Sequence, residues 1–158
     1  MSLFENAIGK EATSNKTRFQ AGDLLFGKLR PYFHKVSIAP FDGVCSTDVL
    51  AIRPKFECYA AYTYCAFSSE AVINYSTNLS GGTRMPRTNW KQLAGFPAAV
   101  PPVSVASAFN TLVLPMLQFV AEVGMENRGL SELRDTLLPR LISGKLRLPE
   151  AAKSVEVL

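Results

Sequence analysis

Between Gly22 and Asp48 the chain reads GDLLFGKLRPYFHKVSIAPFDGVCSTD, and no other stretch limits the fold as tightly. Gly22-Asp23 is turn chemistry. Leu24 to Arg30 alternates with a period of two, which predicts a strand with Leu25, Gly27 and Leu29 on one side. Leu24, Phe26, Lys28 and Arg30 take the other. Pro31 has no backbone donor, so the strand ends or bulges there. His34 to Ala39 resumes strand character through Val36 and Ile38. Pro40-Phe41-Asp42-Gly43 is a turn, and Asp-Gly is a favoured hairpin dipeptide. Val44 to Arg53 reads as a third strand, with Val44, Ser46, Asp48, Leu50 and Ile52 on one face and Pro54 closing it. Lys28, Arg30, Tyr32, His34 and Lys35 recur almost every other residue, so the segment either presents charge to an anion or is the solvated face of an ordinary sheet.

The period then changes. From Glu57 to Asn78, Cys58, Tyr62, Cys65, Ser69, Val72 and Ile73 recur at three or four residues, as in a helix. Ser68-Ser69-Glu70 reads as the cap of a second helical piece. Leu79 to Asn89, LSGGTRMPRTN, is a loop in which Gly81 and Gly82 open backbone conformations closed to other residues. Trp90 to Leu93 is a helical turn capped by Thr88 or Asn89. Phe96 to Val100 is a short strand, and Pro101-Pro102 stops it. Beyond that boundary Phe109, Met116, Val123, Leu130 and Leu137 recur every seven residues. Leu112, Phe119, Glu126, Leu133 and Arg140 follow three residues on. That pattern predicts a long helix with a coiled-coil seam formed by Phe109, Leu112, Met116, Phe119, Val123, Leu130, Leu133 and Leu137. The competing reading is an amphipathic helix packed on its own domain. Pro115 should kink it, and Gly144 should cap it. The expected fold class is α+β: a mainly antiparallel sheet with flanking helices over residues 1–102, a long helix over 103–148, and a frayed tail over 149–158.

Composition narrows the chemistry. The 158 residues are 47% hydrophobic with ten Phe, enough for a core. No uninterrupted apolar run reaches the roughly 18 residues that read as a membrane span, so no membrane partner is expected. The first residues lack a basic start followed by an apolar block, so no secretory signal is expected. Cys45, Cys58 and Cys65 have no CxxC spacing and the chain has one His, which argues against zinc and for reduced thiols in the cytoplasm. No metal or other cofactor is expected. The net charge of +4 points only faintly to nucleic acid. No phosphate-binding glycine loop, dinucleotide fingerprint or nucleophile elbow is present. Cys45 and His34, on adjacent expected strands, are the remaining nucleophile and base for a thiol hydrolase, with no orienting third group. In the glycine loop, arginines can reach base edges or phosphates while lysines serve as point charges. The alternative there is a solvated surface loop.

Three blocks together resemble the DNA-specificity subunit of type I restriction-modification systems: Gly22–Asp48; SGGTRMPRTNWKQL (Ser80–Leu93) with the FPAAVPP stop; and ELRDTLLPRLISGKLRL (Glu132–Leu148). The resemblance implies a target-recognition domain followed by a spacer helix, with no catalysis of its own. It implies double-stranded DNA as ligand, with methyltransferase subunits docked on the helices and, through them, restriction subunits. Family members carry two recognition domains and two helices. The single set in this chain implies a half-subunit or fragment, with a recognition domain incomplete at its N-terminal side and a homodimer formed through the helix. A degenerate docking module without DNA binding is the alternative. The residues expected to contact DNA are Lys28, Arg30, Tyr32, His34 and Lys35 in the first block and Thr83, Arg84, Arg87 and Asn89 in the second.

Overall fold

A computed structural model describes residues 15–82 and 84–146. The expected frayed tail lies outside them, as do Thr83 and the last residues of the expected helix. Among the described residues, two sheets and four α-helices follow in the order β1 (Lys16–Phe19), β2 (Leu24–Gly27), β3 (Val36–Ile38), β4 (Gly43–Ser46), β5 (Val49–Ile52), α1 (Ala60–Phe67), α2 (Glu70–Leu79), α3 (Trp90–Ala94) and α4 (Val103–Ile142). Every strand pairing is antiparallel, and the fold is α+β with a long C-terminal helix, as the sequence periods predict.

Strand β2 is the centre of a three-stranded sheet ordered β3-β2-β5, and all four of its residues are buried. Alternation sends Leu24 and Phe26 to one face, where they meet Ile52, Val72, Ile73 and Leu93 beneath α2 and α3. Leu25 points the other way and packs with Phe19 and Ala39. Burying a side chain such as Phe26 contributes about 1.5–3 kcal/mol. Gly27 is required by proximity: a Cβ there would stand 2.9 Å from the Lys35 Cβ. The strand entry is held by Asp23, whose buried carboxylate accepts from Arg53 Nε and Nη2 at 2.6 and 2.8 Å and from the Gln20 N–H at 2.8 Å.

Several expectations are corrected here. The strand from Leu24 ends at Gly27 instead of reaching Arg30, because the next residues turn to meet another loop. Asp42-Gly43 does not close a hairpin. β3 pairs with β2, whereas β4 pairs with β1 in a separate two-stranded sheet, and the Asp42 carboxylate instead accepts the Ala21 N–H at 2.8 Å. The single strand expected over Val44 to Arg53 is two strands. A turn at Thr47-Asp48 carries the chain from one sheet to the other, so Val44 and Ile52 share no face. Phe96 to Val100 is no strand. Tyr62 Oη donates to its Ala99 carbonyl at 2.6 Å, and Tyr59 Oη to the carbonyl of the following Pro101 at 2.9 Å.

The chain divides into two compact units between Ala121 and Glu122. In the first, the start of α4 packs through Ala106, which is fully buried, and Asn110, whose Oδ1 accepts the Ala61 N–H at 3.0 Å. That N–H is one of the donors left open at the start of α1, so α4 supplies its acceptor. The second unit contains the remainder of α4. Helix α4 ends at Ile142, and past it Gly144 takes a left-handed φ of +69° while the Leu146 N–H bonds the Arg140 carbonyl. The helix passes Pro115, Gly124 and Gly129 without interruption. One 18-residue window within α4 has a mean hydropathy of 1.6, and only 6% of it is buried. By length and composition alone this helix is apolar enough to cross a bilayer. Along the seven-residue seam Phe109, Leu112, Met116, Phe119 and Leu130 are exposed, and Val123, Leu133 and Leu137 are half-buried.

Candidate nucleic-acid interface

The two basic segments, far apart in sequence, are stitched together. Past the end of β2 the Lys28 N–H donates to the Asp48 carbonyl at 2.7 Å, and the Lys28 carbonyl accepts the Thr88 N–H at 3.1 Å. Leu29 then forms an antiparallel bridge with Arg87, and the Arg30 N–H donates to the Pro86 carbonyl at 2.8 Å. The loop after α2 is thus added to the exit of β2 as a short ribbon. Gly81 and Arg87 exchange backbone hydrogen bonds and close that loop. Gly82, at φ +96°, makes the turn that leaves Arg84 and Met85 exposed at its tip.

Some of the expected contact residues are engaged inside the chain. Arg87 lies against Asp48, Nε to Oδ1 at 3.0 Å and Nη2 to Oδ2 at 3.2 Å. The hydrogen bonds and charge of Asp48 raise the guanidinium above its ordinary value. Asn89 caps α3 in a reciprocal box with Gln92, each side chain accepting the other's backbone N–H at 3.0 Å. The His34 Nε2 meets the Ser68 carbonyl at 2.6 Å, fixing the corner before β3 to the end of α1. Thr83 lies outside the described residues.

Arg30, Tyr32 and Lys35 gather at one corner. Pro31–Phe33 forms a single 3-10 turn between Arg30 and His34, both of which take left-handed backbone angles, φ 52° and 53°. Tyr32 and Phe33 are about half exposed with ring centroids 4.8 Å apart. Arg30 and Lys35 both lie over the Phe33 ring, at 5.8 and 5.4 Å from its centroid. Phe33 and the half-exposed Trp90, stacked on Phe67, were absent from the expected contact set. Their signal in the sequence was only that of aromatics beside basic residues.

Cys45 and His34 do not form a catalytic pair. The Cys45 thiol donates to the Thr17 carbonyl at 3.5 Å, and burial pushes it up, with the nearby charge of Lys28 pulling part of the way back. A protonated thiol is a poor nucleophile. Arg53, just past the end of β5, is the partner of Asp23.

The chain matches no protein-family model. It is similar to the EcoDI specificity subunit, a type I restriction enzyme component of Escherichia coli, at 30% identity over 102 residues, or 65% of this chain. It is also similar to the HindI specificity subunit of Haemophilus influenzae, at 27% over 100 residues, or 63% of this chain. The matched stretch spans 22% of the length of each of these relatives. The resemblance read from the three sequence blocks is thereby borne out.

Proposed function

We propose that this chain, related over about a hundred residues to type I restriction enzyme specificity subunits, is a non-catalytic DNA-recognition module that reads one half of a bipartite duplex site. The observation that carries the reading is the stitched corner. Backbone pairing of residues 28–30 with residues 86–88 brings the two blocks together, which supports a shared surface for their basic residues. In this reading phosphate contacts orient the domain while other loops read base edges. The exposed apolar line on α4 serves as a protein interface, pairing with a second copy and docking methyltransferase subunits, which recruit restriction subunits in the cytoplasm.

The test is a salt series of fluorescence anisotropy with a labelled duplex. Several neutralised phosphates give a steep linear fall of log affinity with log salt, each contributing about 0.9 to the slope. Absent or salt-independent binding defeats the reading. The alternative, a helix-mediated docking module, draws on the exposure of Leu112, Met116 and Phe119. It predicts self-association with no DNA binding.

A further inference from the structure

We propose that Arg30 and Lys35, gathered on the ring of Phe33, form one built contact for the phosphate backbone of a nucleic-acid strand; this deepens the reading above and rests on it. Four observations meet at this corner. Arg30 holds a left-handed backbone at φ 52° and ψ 67°, a conformation unfavourable for a residue with a Cβ and most often retained where function uses it. Backbone bonds fix it there, from its own N–H to Pro86 and from the Phe33 N–H to its carbonyl. Its Nε is buried without a hydrogen-bond partner, although buried donors are nearly always paired. Thr88 Oγ1, on the segment stitched to the same strand exit, is in the same condition.

Charge supplies the rest. Among the described residues Arg53 pairs with Asp23, Arg87 with Asp48 and Arg134 with Asp135, and none of these pairs involves Arg30 or Lys35. Two cations within 6 Å of one ring centroid repel each other unless an anion lies between them or the ring face offsets the repulsion. Phe33 does the second and, being half exposed, leaves room for the first. A phosphodiester suits the pair: a planar guanidinium can donate two parallel bonds and an ammonium adds a point charge. Arg87, held by Asp48, is the structural arginine of the ribbon and is no part of the contact.

Phosphate contacts are independent of base sequence, so any duplex of about thirty base pairs reports on them. The experiment compares salt slopes and melting temperatures of the full chain, Arg30→Gly, Lys35→Gln and the double variant. Glycine accepts φ 52° freely, so Arg30→Gly should melt at or above the wild-type temperature while its salt slope falls by up to about 0.9. Lys35→Gln should act likewise. The double variant should lose about 0.9 in total if the two cations share one phosphate. Unchanged slopes in variants of a DNA-binding wild type overturn this contact and leave the wider reading standing. A double loss near twice that value overturns the shared site. A lowered melting temperature for Arg30→Gly assigns the guanidinium to the fold and overturns its role here. A wild type that binds no duplex overturns both proposals together.

Discussion

Asp23 carries the entry to β2, and its replacement by Asn gives a quantitative expectation. Its side chain is 4% exposed and accepts two bonds from Arg53 and one from the Gln20 N–H. The Asn amide oxygen can still accept from Gln20. What is lost is the charge-assisted pair, and hydrogen bonds to charged groups contribute about 1.5–3 kcal/mol. The Arg53 side chain is 56% exposed, so water takes over its donors. That places the cost at the lower end, about 1.5–2 kcal/mol. Burial by itself raises the Asp23 carboxyl. The bonds from Arg53 and Gln20 and the charge of Arg53 outweigh burial and hold it below its ordinary value. A carboxylate depressed in the folded state contributes stability above its unfolded pKa, about 4, and loses it as pH falls through the folded value. Urea unfolding at pH 7 should therefore give Asp23→Asn a midpoint lower by about 1 M with an unchanged m-value. The gap should close as pH falls below about 4. Equal midpoints at pH 7, or a gap of constant size down to the lowest pH at which both proteins fold, would refute the reasoning.

Other perturbations probe the scaffold and the helix. Gly27→Ala places a methyl 2.9 Å from the Lys35 Cβ and should cost about 1–3 kcal/mol by overpacking, read from the same urea titration. Asn89→Ala removes the capping box of α3 and should cost about 0.5–2 kcal/mol, with the local amide exchange of residues 90–94 accelerated. The double change Leu130→Glu and Leu133→Glu should leave a monomer's melting temperature nearly unchanged, because Leu130 is exposed and Leu133 half-buried. By light scattering it should split a helix-paired dimer into monomers, and a wild type already monomeric at high concentration contradicts the seam.

The elements were readable where one period dominates. Leu24 and Phe26 alternate against Leu25, and Ser69 announces its cap before α2, so β2 and α2 followed from local spacing. The heptad after Pro102 gave α4. Strand partners were not readable, because Asp42-Gly43 reads locally as a hairpin while the pairing of β4 with β1 is decided by contacts far along the chain. At the interface, charge type was legible and commitment was not. Arg84 and Arg87 look alike in TRMPRTN, yet only the fold brings Asp48, 39 residues away in sequence, against Arg87. Phe33 escaped notice because an aromatic beside basic residues acquires its role only when the 3-10 turn folds Arg30 and Lys35 onto its ring.

Hydrogen–deuterium exchange of the full chain, with and without a saturating duplex, tests the central claim most directly. The stitched surface predicts that DNA slows exchange in residues 28–35 and 84–90 together, with the exposed apolar line of α4 unaffected. Protection confined to α4, or to one of the two segments without the other, would contradict it.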